Sequence, residues 1–201
     1  MPTPALLLDR DGTLVEPRHY PRRPEELVLY PNLSAGLRRF QAAGWKLALI
    51  TNQAGIAHGY FSEADLAAMH QHLTAQLAQQ DIQLSGVFYC PHHPEGIVER
   101  FAHVCNCRKP QPGMLINAAE QLRIDLDHSW FIGDILDDIE AGNRAGCRTV
   151  LVDLGTEARP QDPIRRPTAV ARNTAHALAI VAALSDLGPA VELDYQPALW
   201  Q

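Results

Sequence analysis

Nowhere in this chain does an apolar run approach the roughly 18 residues of a membrane span, and the start, Met1-Pro2-Thr3-Pro4, has neither the basic stretch nor the apolar block of a secretory leader. Membrane insertion and export are therefore not expected, and the reading is a cytoplasmic protein. Cysteine is scarce as well: four residues cannot supply the dense framework of a small secreted scaffold. Positive charge is in deficit, with a net charge of −6, so the broad basic footprint of a nucleic-acid binder is missing. Glycine and proline occur without a fixed period, which excludes a solenoid or repeat array.

What is present is enough apolar material, 46% of 201 residues, for one substantial core. Short apolar runs alternate with helical periodicity, the pattern of a parallel sheet wrapped by helices. Strands are expected at Ala5 to Leu8, Lys46 to Ile50, Gly86 to Tyr89, Trp130 to Ile132, Thr149 to Val152 and Thr168 to Ala171. Leu33, Leu37 and Phe40 mark a first helix that Gly44 stops. Ser62-x-x-Asp65 reads as the capping box of a second, with Leu66, Met69, Leu73 and Leu77 as its apolar stripe. Further helices are expected from Gly113 to Leu122, from Asp137 to Ala145 with Gly146 closing it, and from a Thr174 cap to Leu184. Gly155 to Pro167 reads as a loop. The expected organisation is one domain over 1–184, with a loop insertion at 90–107 and a tail at 185–201.

Four strand ends carry polar chemistry, and ligands of open α/β sheets collect beyond such ends. Asp9-Arg10-Asp11-Gly12-Thr13-Leu14 follows the first strand, and two carboxylates one residue apart can divide the labour of nucleophile and acid/base. Thr51-Asn52-Gln53 follows the second and offers a hydroxyl and amides to phosphoryl oxygens. Arg108-Lys109-Pro110 brings fixed positive charge, Lys109 to neutralise phosphate and Arg108 as a planar fork. Gly133-Asp134-Ile135-Leu136-Asp137-Asp138 follows a further strand. Asp134 with Asp9 and the backbone carbonyl of Asp11 suits magnesium, a hard cation that keeps waters, and Asp138 is placed to orient its neighbours.

A second constellation is separate. Cys90-Pro91-His92, twelve residues and then Cys105-Asn106-Cys107 make three thiolates and an imidazole, the closed set of structural zinc, with His93 and His103 as rival ligands. Cys107 abuts Arg108-Lys109, so this metal would fix the loop that presents the cations. Cys147 reads as an inert core thiol.

Asp9-Arg10-Asp11-Gly12-Thr13 resembles the Asp-x-Asp-x-Thr motif of the haloacid dehalogenase superfamily of aspartyl-phosphate phosphohydrolases. With Thr51-Asn52-Gln53-Ala54-Gly55-Ile56-Ala57, Tyr89-Cys90-Pro91-His92-His93-Pro94, Cys105-Asn106-Cys107-Arg108-Lys109-Pro110 and Gly133-Asp134, residues 5–153 are similar to its heptose 1,7-bisphosphate phosphatase branch. The resemblance implies a Rossmann-like α/β fold without a large cap domain and hydrolysis of the 7-phosphate of a phosphorylated sugar; no segment between the motifs is long enough for a cap, so an open site covered by the metal loop and the 18–30 stretch is expected, in a monomer. It implies Asp9 as nucleophile, Asp11 as acid/base, Thr51 and Lys109 as phosphoryl stabilisers and Arg108 on the second phosphate. Pro17, Arg18, His19, Tyr20, Asn52, Gln53 and Ala54 would line the sugar. Histidinol-phosphate phosphatases share the nucleophile and the metal loop, but with a shorter gap before the last cysteines. Ile135 departs from the lysine common in the heptose branch, and with it goes a cation near the substrate. From another class, a zinc-bearing interaction module on the same scaffold is the rival, separable by magnesium-dependent turnover.

Overall fold

A computed structural model describes residues 2–187. Its frame is a six-stranded sheet in the order β3-β2-β1-β4-β5-β6, parallel at every pairing. The strands are β1 Ala5–Leu8, β2 Lys46–Asn52, β3 Gly86–Cys90, β4 Trp130–Gly133, β5 Arg148–Val152 and β6 Ala169–Ala171. Five α-helices connect them: α1 Ser34–Ala42, α2 Glu63–Ala78, α3 Gly113–Leu122, α4 Leu136–Ala145 and α5 Thr174–Leu184. Alternation along β1 shows why both faces need cover. Leu6 and Leu8 pack with Phe40 of α1, Leu73 of α2 and Leu178 of α5, whereas Ala5 and Leu7 pack with Leu115 of α3 and Ala141 of α4. β1 is buried along its whole length.

The strands run a residue or so further than expected at several ends, because register with a longer neighbour extends the ladder past the apolar run. Asn52 pairs with Cys90, for example. The capping box of α2 is formed as expected, with Asp65 N donating to Ser62 Oγ and Ser62 N donating to Asp65 Oδ2. Thr174 does not cap α5. Asn173 does, accepting from the backbone N of His176, while the Thr174 hydroxyl donates to the carbonyl of Thr13 and ties α5 to the turn after β1. An amide reaches the free N–H groups from the extended residue before the helix, and a hydroxyl one residue later points back across the sheet.

Residues 14–16 and 28–30 pair as a small ribbon, closing the 18–30 stretch over the end of the sheet. The 155–167 loop contains only a short 3-10 turn, Pro163–Arg165, whose Arg165 pairs with Asp137 and with Glu140 at 3.3 Å. Among the described residues no helix is long and apolar enough to cross a membrane. The expected tail falls mostly on residues 188–201, outside the described residues.

Candidate functional site

The carboxyl ends of β1, β2 and β4 converge, and the residues after β1 and β4 meet there the segment between β3 and α3. Lys109 Nζ lies 2.5 Å from Asp9 Oδ1 and 2.6 Å from Asp138 Oδ1, and it donates to the carbonyl of Ile50 at 3.0 Å. All three charged side chains are buried. Asp9, Asp134 and Asp138 offer oxygens within 4.8 Å of one another, so one ammonium faces three acids in a site that water barely reaches. Burial pushes the Asp9 carboxyl up to about 7, with Lys109 opposing and Asp138 and Asp11 adding to it. Burial, then Asp9 and Asp138, carry Asp134 up to about 8. Burial pulls the Lys109 ammonium down, and the two carboxylates more than offset it, leaving it raised.

Two glycines make this closeness possible. A Cβ on Gly12, whose φ is +82°, would lie 2.2 Å from Asp134 Oδ2, and one on Gly133 would lie 2.3 Å from the Asp138 Cβ. The turn after β1 thus presses its backbone against the Asp134 carboxylate as no other residue could. Asp138 also accepts from the backbone N of Ile135 at 3.2 Å, so it serves as the capping acid of α4 and the partner of Lys109 at once.

Asp11 stands apart from the acid trio. Its carboxylate is clamped by Arg10, Nε to Oδ2 at 3.0 Å and Nη2 to Oδ1 at 3.1 Å, and accepts from Gln53 Nε2 at 3.2 Å. The other hydrogen of that amide goes to Thr51 Oγ1 at 2.8 Å.

Several side chains expected along the sugar are placed differently. Asn52 exchanges two hydrogen bonds with the backbone of Lys109, at 3.0 and 3.1 Å, so its amide holds the Lys109 loop rather than pointing freely into the cleft. Ala54 is buried beside the Gly55 turn and Pro17 is exposed, and neither lines the cleft of about 250 Å³ beside Asp11. Arg18, His19 and Tyr20 do, together with Asn52 and Gln53. Tyr20 is fixed there by edge-on contacts with Tyr60 at 4.9 Å and His58 at 5.9 Å. Arg108, half-buried, donates through Nη1 to the carbonyl of His92 at 3.4 Å.

The cysteine loop is gathered as expected. Cys90, His92, Cys105 and Cys107 present their ligand atoms within 4.8 Å of one another, with Cys90 Sγ 3.5 Å from Cys105 Sγ and His92 Nδ1 3.3 Å from Cys107 Sγ. Hydrogen bonding from Cys90 draws the Cys107 thiol down to about 5, while the same contact and burial push the Cys90 thiol up. The two rival histidines fall outside this cluster. His93 Nδ1 accepts from the backbone N of Glu95, and His103 packs against the His92 ring at 4.3 Å. Cys147 is buried, its thiol pushed up to about 12 by burial.

Two residues here were not legible as part of the site. Arg10, 1% exposed, sits between two acids in the turn after β1. His70 Nε2 lies 3.5 Å from Arg10 Nη1. It falls four residues after Leu66 and three before Leu73, so the apolar stripe of α2 carried the signal that it points inward.

Residues 106–177 match the HAD-hydrolase-like family model. Across 196 residues, 97% of each chain, the sequence is 37% identical to the D-glycero-beta-D-manno-heptose-1,7-bisphosphate 7-phosphatase of Escherichia coli K12. Among solved structures, a HAD-like phosphatase from Mesorhizobium loti superposes with a TM-score of 0.80 at 35% identity, over 95% of this chain and 90% of that one. The D,D-heptose 1,7-bisphosphate phosphatase of B. bronchiseptica, solved with magnesium and phosphate, gives 0.76 at 30% identity, over 92% of this chain and all of the other. Kinship at this identity over nearly the full length makes the chain a member of the heptose 1,7-bisphosphate 7-phosphatase family, within the HAD superfamily of phosphatases.

Proposed function

We propose that this phosphatase removes the 7-phosphate of D-glycero-D-manno-heptose 1,7-bisphosphate through an aspartyl-phosphate intermediate. The observation that carries the reading is the Lys109 ammonium seated between Asp9 and Asp138 at the end of the sheet, with Thr51 and Asp11 joined through Gln53 beside it. In the first step an Asp9 oxygen attacks phosphorus while Asp11 gives its proton to the departing sugar oxygen. In the second, Asp11 takes a proton from water, the water oxygen attacks the aspartyl phosphorus, and Asp9 is released as carboxylate. Thr51 and Lys109 hold the phosphoryl oxygens throughout. Arg108 serves the second phosphate, and Arg18, His19 and Tyr20 face the sugar.

Three buried acids against one lysine leave negative charge that a divalent cation would balance, and the close Gly12 backbone gives it a cradle. Magnesium fits, held by Asp9, Asp134 and the Asp11 carbonyl. When bound it supplies charge neutralisation and polarises a phosphoryl oxygen. The unit carrying this chemistry is residues 1–184 as one domain with the 90–107 loop, and a monomer suffices because one copy supplies every group named. A cytoplasmic setting fits a site of three thiols, which an oxidising compartment would pair.

The test is a magnesium-dependent assay of both heptose bisphosphate anomers beside histidinol phosphate. One equivalent of phosphate is expected per heptose, with the C1 phosphate retained in the ³¹P spectrum. Faster turnover of histidinol phosphate would reassign the substrate, with Ile135 as the reason. The cysteine loop has its own measurement. Metal analysis should find one zinc per chain bound by Cys90, His92, Cys105 and Cys107. Cys90→Ser should lower the melting temperature by about 10 °C, taking the lost metal at several kcal/mol and roughly 2–4 °C for each. It should also raise KM, since Arg108 and Lys109 follow Cys107 directly. Zinc-free protein with unchanged melting in the variant would remove the metal from this loop.

A further inference from the structure

A carboxylate in an acid/base role must keep its direction while its proton comes and goes, and the turn after β1 cannot guarantee this alone. The Asp11 side chain is 28% exposed, and its only covalent support is a loop. Arg10 supplies what the loop lacks. Its guanidinium, 1% exposed, forks onto both Asp11 oxygens, with Nη2 also 2.8 Å from Oδ2. A buried guanidinium has five donors and no acceptor, so it needs partners on every side to stay in one place. Behind it stands His70 from the buried face of α2, its Nε2 3.5 Å from Arg10 Nη1. Burial and the Arg10 charge hold the imidazole uncharged, moving its pKa down to about 3, so Nε2 is free to accept.

We propose that Arg10 and His70 are positioning residues: His70 backs the guanidinium, and the guanidinium fixes the direction of the Asp11 carboxylate toward the leaving oxygen and the hydrolytic water. The proposal rests on the phosphatase reading, in which Asp11 is the acid/base. α2 thereby gains a part in the chemistry although none of its residues reaches the cleft beside Asp11.

The readout is the leaving group. p-Nitrophenolate departs without a proton, so the first half-reaction on p-nitrophenyl phosphate does not need Asp11, whereas hydrolysis of the aspartyl phosphate does. In the magnesium-loaded enzyme, Arg10→Met should keep a rapid release of one p-nitrophenolate per site. Steady turnover should then fall on the order of 10²-fold, the scale of misaligned acid/base catalysis. His70→Leu should lower kcat about 10-fold with KM moved by less than about 2-fold, and His70→Gln, which keeps an acceptor near the same place, should restore most of it. If Arg10→Met does not fold, the His70 pair decides. Folded variants with unchanged kcat, or with burst and steady rate lost in equal proportion, would assign Arg10 and His70 to stability alone. Unmodified protein inert toward every phosphate ester would instead overturn the phosphatase reading, and this proposal with it.

Discussion

Asp9→Asn is expected to lose turnover by roughly 10⁴–10⁶-fold, the scale seen when a covalent nucleophile is removed, and yet to melt no lower than the unmodified protein. The amide keeps the shape of the carboxylate and removes one of three buried negative charges, while Lys109 keeps Asp138 at 2.6 Å. The pH dependence checks the second half of the claim. Asp9 and Asp134 titrate at about 7 and about 8 in the fold, above the ordinary 3.8, mainly because they are buried. The folded state therefore takes up protons that the unfolded chain has released. The stability this contributes is fully present below about pH 4 and is lost as pH rises through 7 and 8. In magnesium-free buffer the unmodified protein should melt lower at pH 8 than at pH 5, and Asp9→Asn should show a smaller drop. No chelator belongs in that buffer, so that a metal on the cysteine loop stays in place. A variant that hydrolyses substrate at a tenth of the normal rate would refute the nucleophile assignment. One that melts far lower would refute the account of charge crowding.

Lys109→Met should fail in both respects. The ammonium is the only cation within hydrogen-bonding reach of either Asp9 or Asp138 among the described residues, and it is 2% exposed. Truncating one partner of a buried ion pair typically costs about 3–5 kcal/mol, because the remaining charge is left without water or counterion. A melting temperature lower by about 10 °C follows for a chain of this size. Activity should fall on the order of 10³-fold, as when a preorganised donor to the phosphoryl group is removed. Adding Asp138→Asn should return part of the lost stability, since the double variant buries one charge fewer, and none of the lost activity. Thermal melts of the four proteins in one double-mutant cycle decide it. Stability that stays low in the double variant would locate the defect in packing against Phe131, 5.5 Å from Nζ, rather than in charge. Removing the acid and removing the base of one ion pair thus have opposite consequences for the fold, because three acids share a single lysine.

The sheet was legible because each buried strand is a short apolar run between polar turns; strand limits failed where hydrogen-bond register outlasts the apolar residues, as at Asn52, and at Thr168, which precedes the last strand instead of opening it. The site was legible where chemistry sits at a strand end. Asp9, Thr51, Lys109 and Asp134 come from chain segments far apart, and their convergence follows from all four lying at or beyond the carboxyl ends of parallel strands. Direction within a turn was not legible. Spacing does not say that Asn52 looks back to the Lys109 backbone, that the Gln53 amide spans Thr51 and Asp11, or that Arg10 folds inward. These depend on which donor finds an acceptor once the backbone is fixed. Asn173 takes the capping role expected of Thr174 for the same reason, since one residue of phase decides which side chain meets the free N–H groups of the helix.

The bond between Lys109 and Asp9 closes a loop of 100 residues. Parallel strands cannot pair through a tight turn, so every contact in the central layer is of this long-range kind, and such contacts form late and slowly. On a ribosome the first aspartates emerge well before the lysine that neutralises them, and before the strand that carries Asp134. Until then the nascent chain holds charged turns next to unpaired apolar strands, a period in which self-association competes with folding. Catalytic competence therefore waits for the segment that carries Asp134, and recovery of activity after denaturation should trail the return of helix.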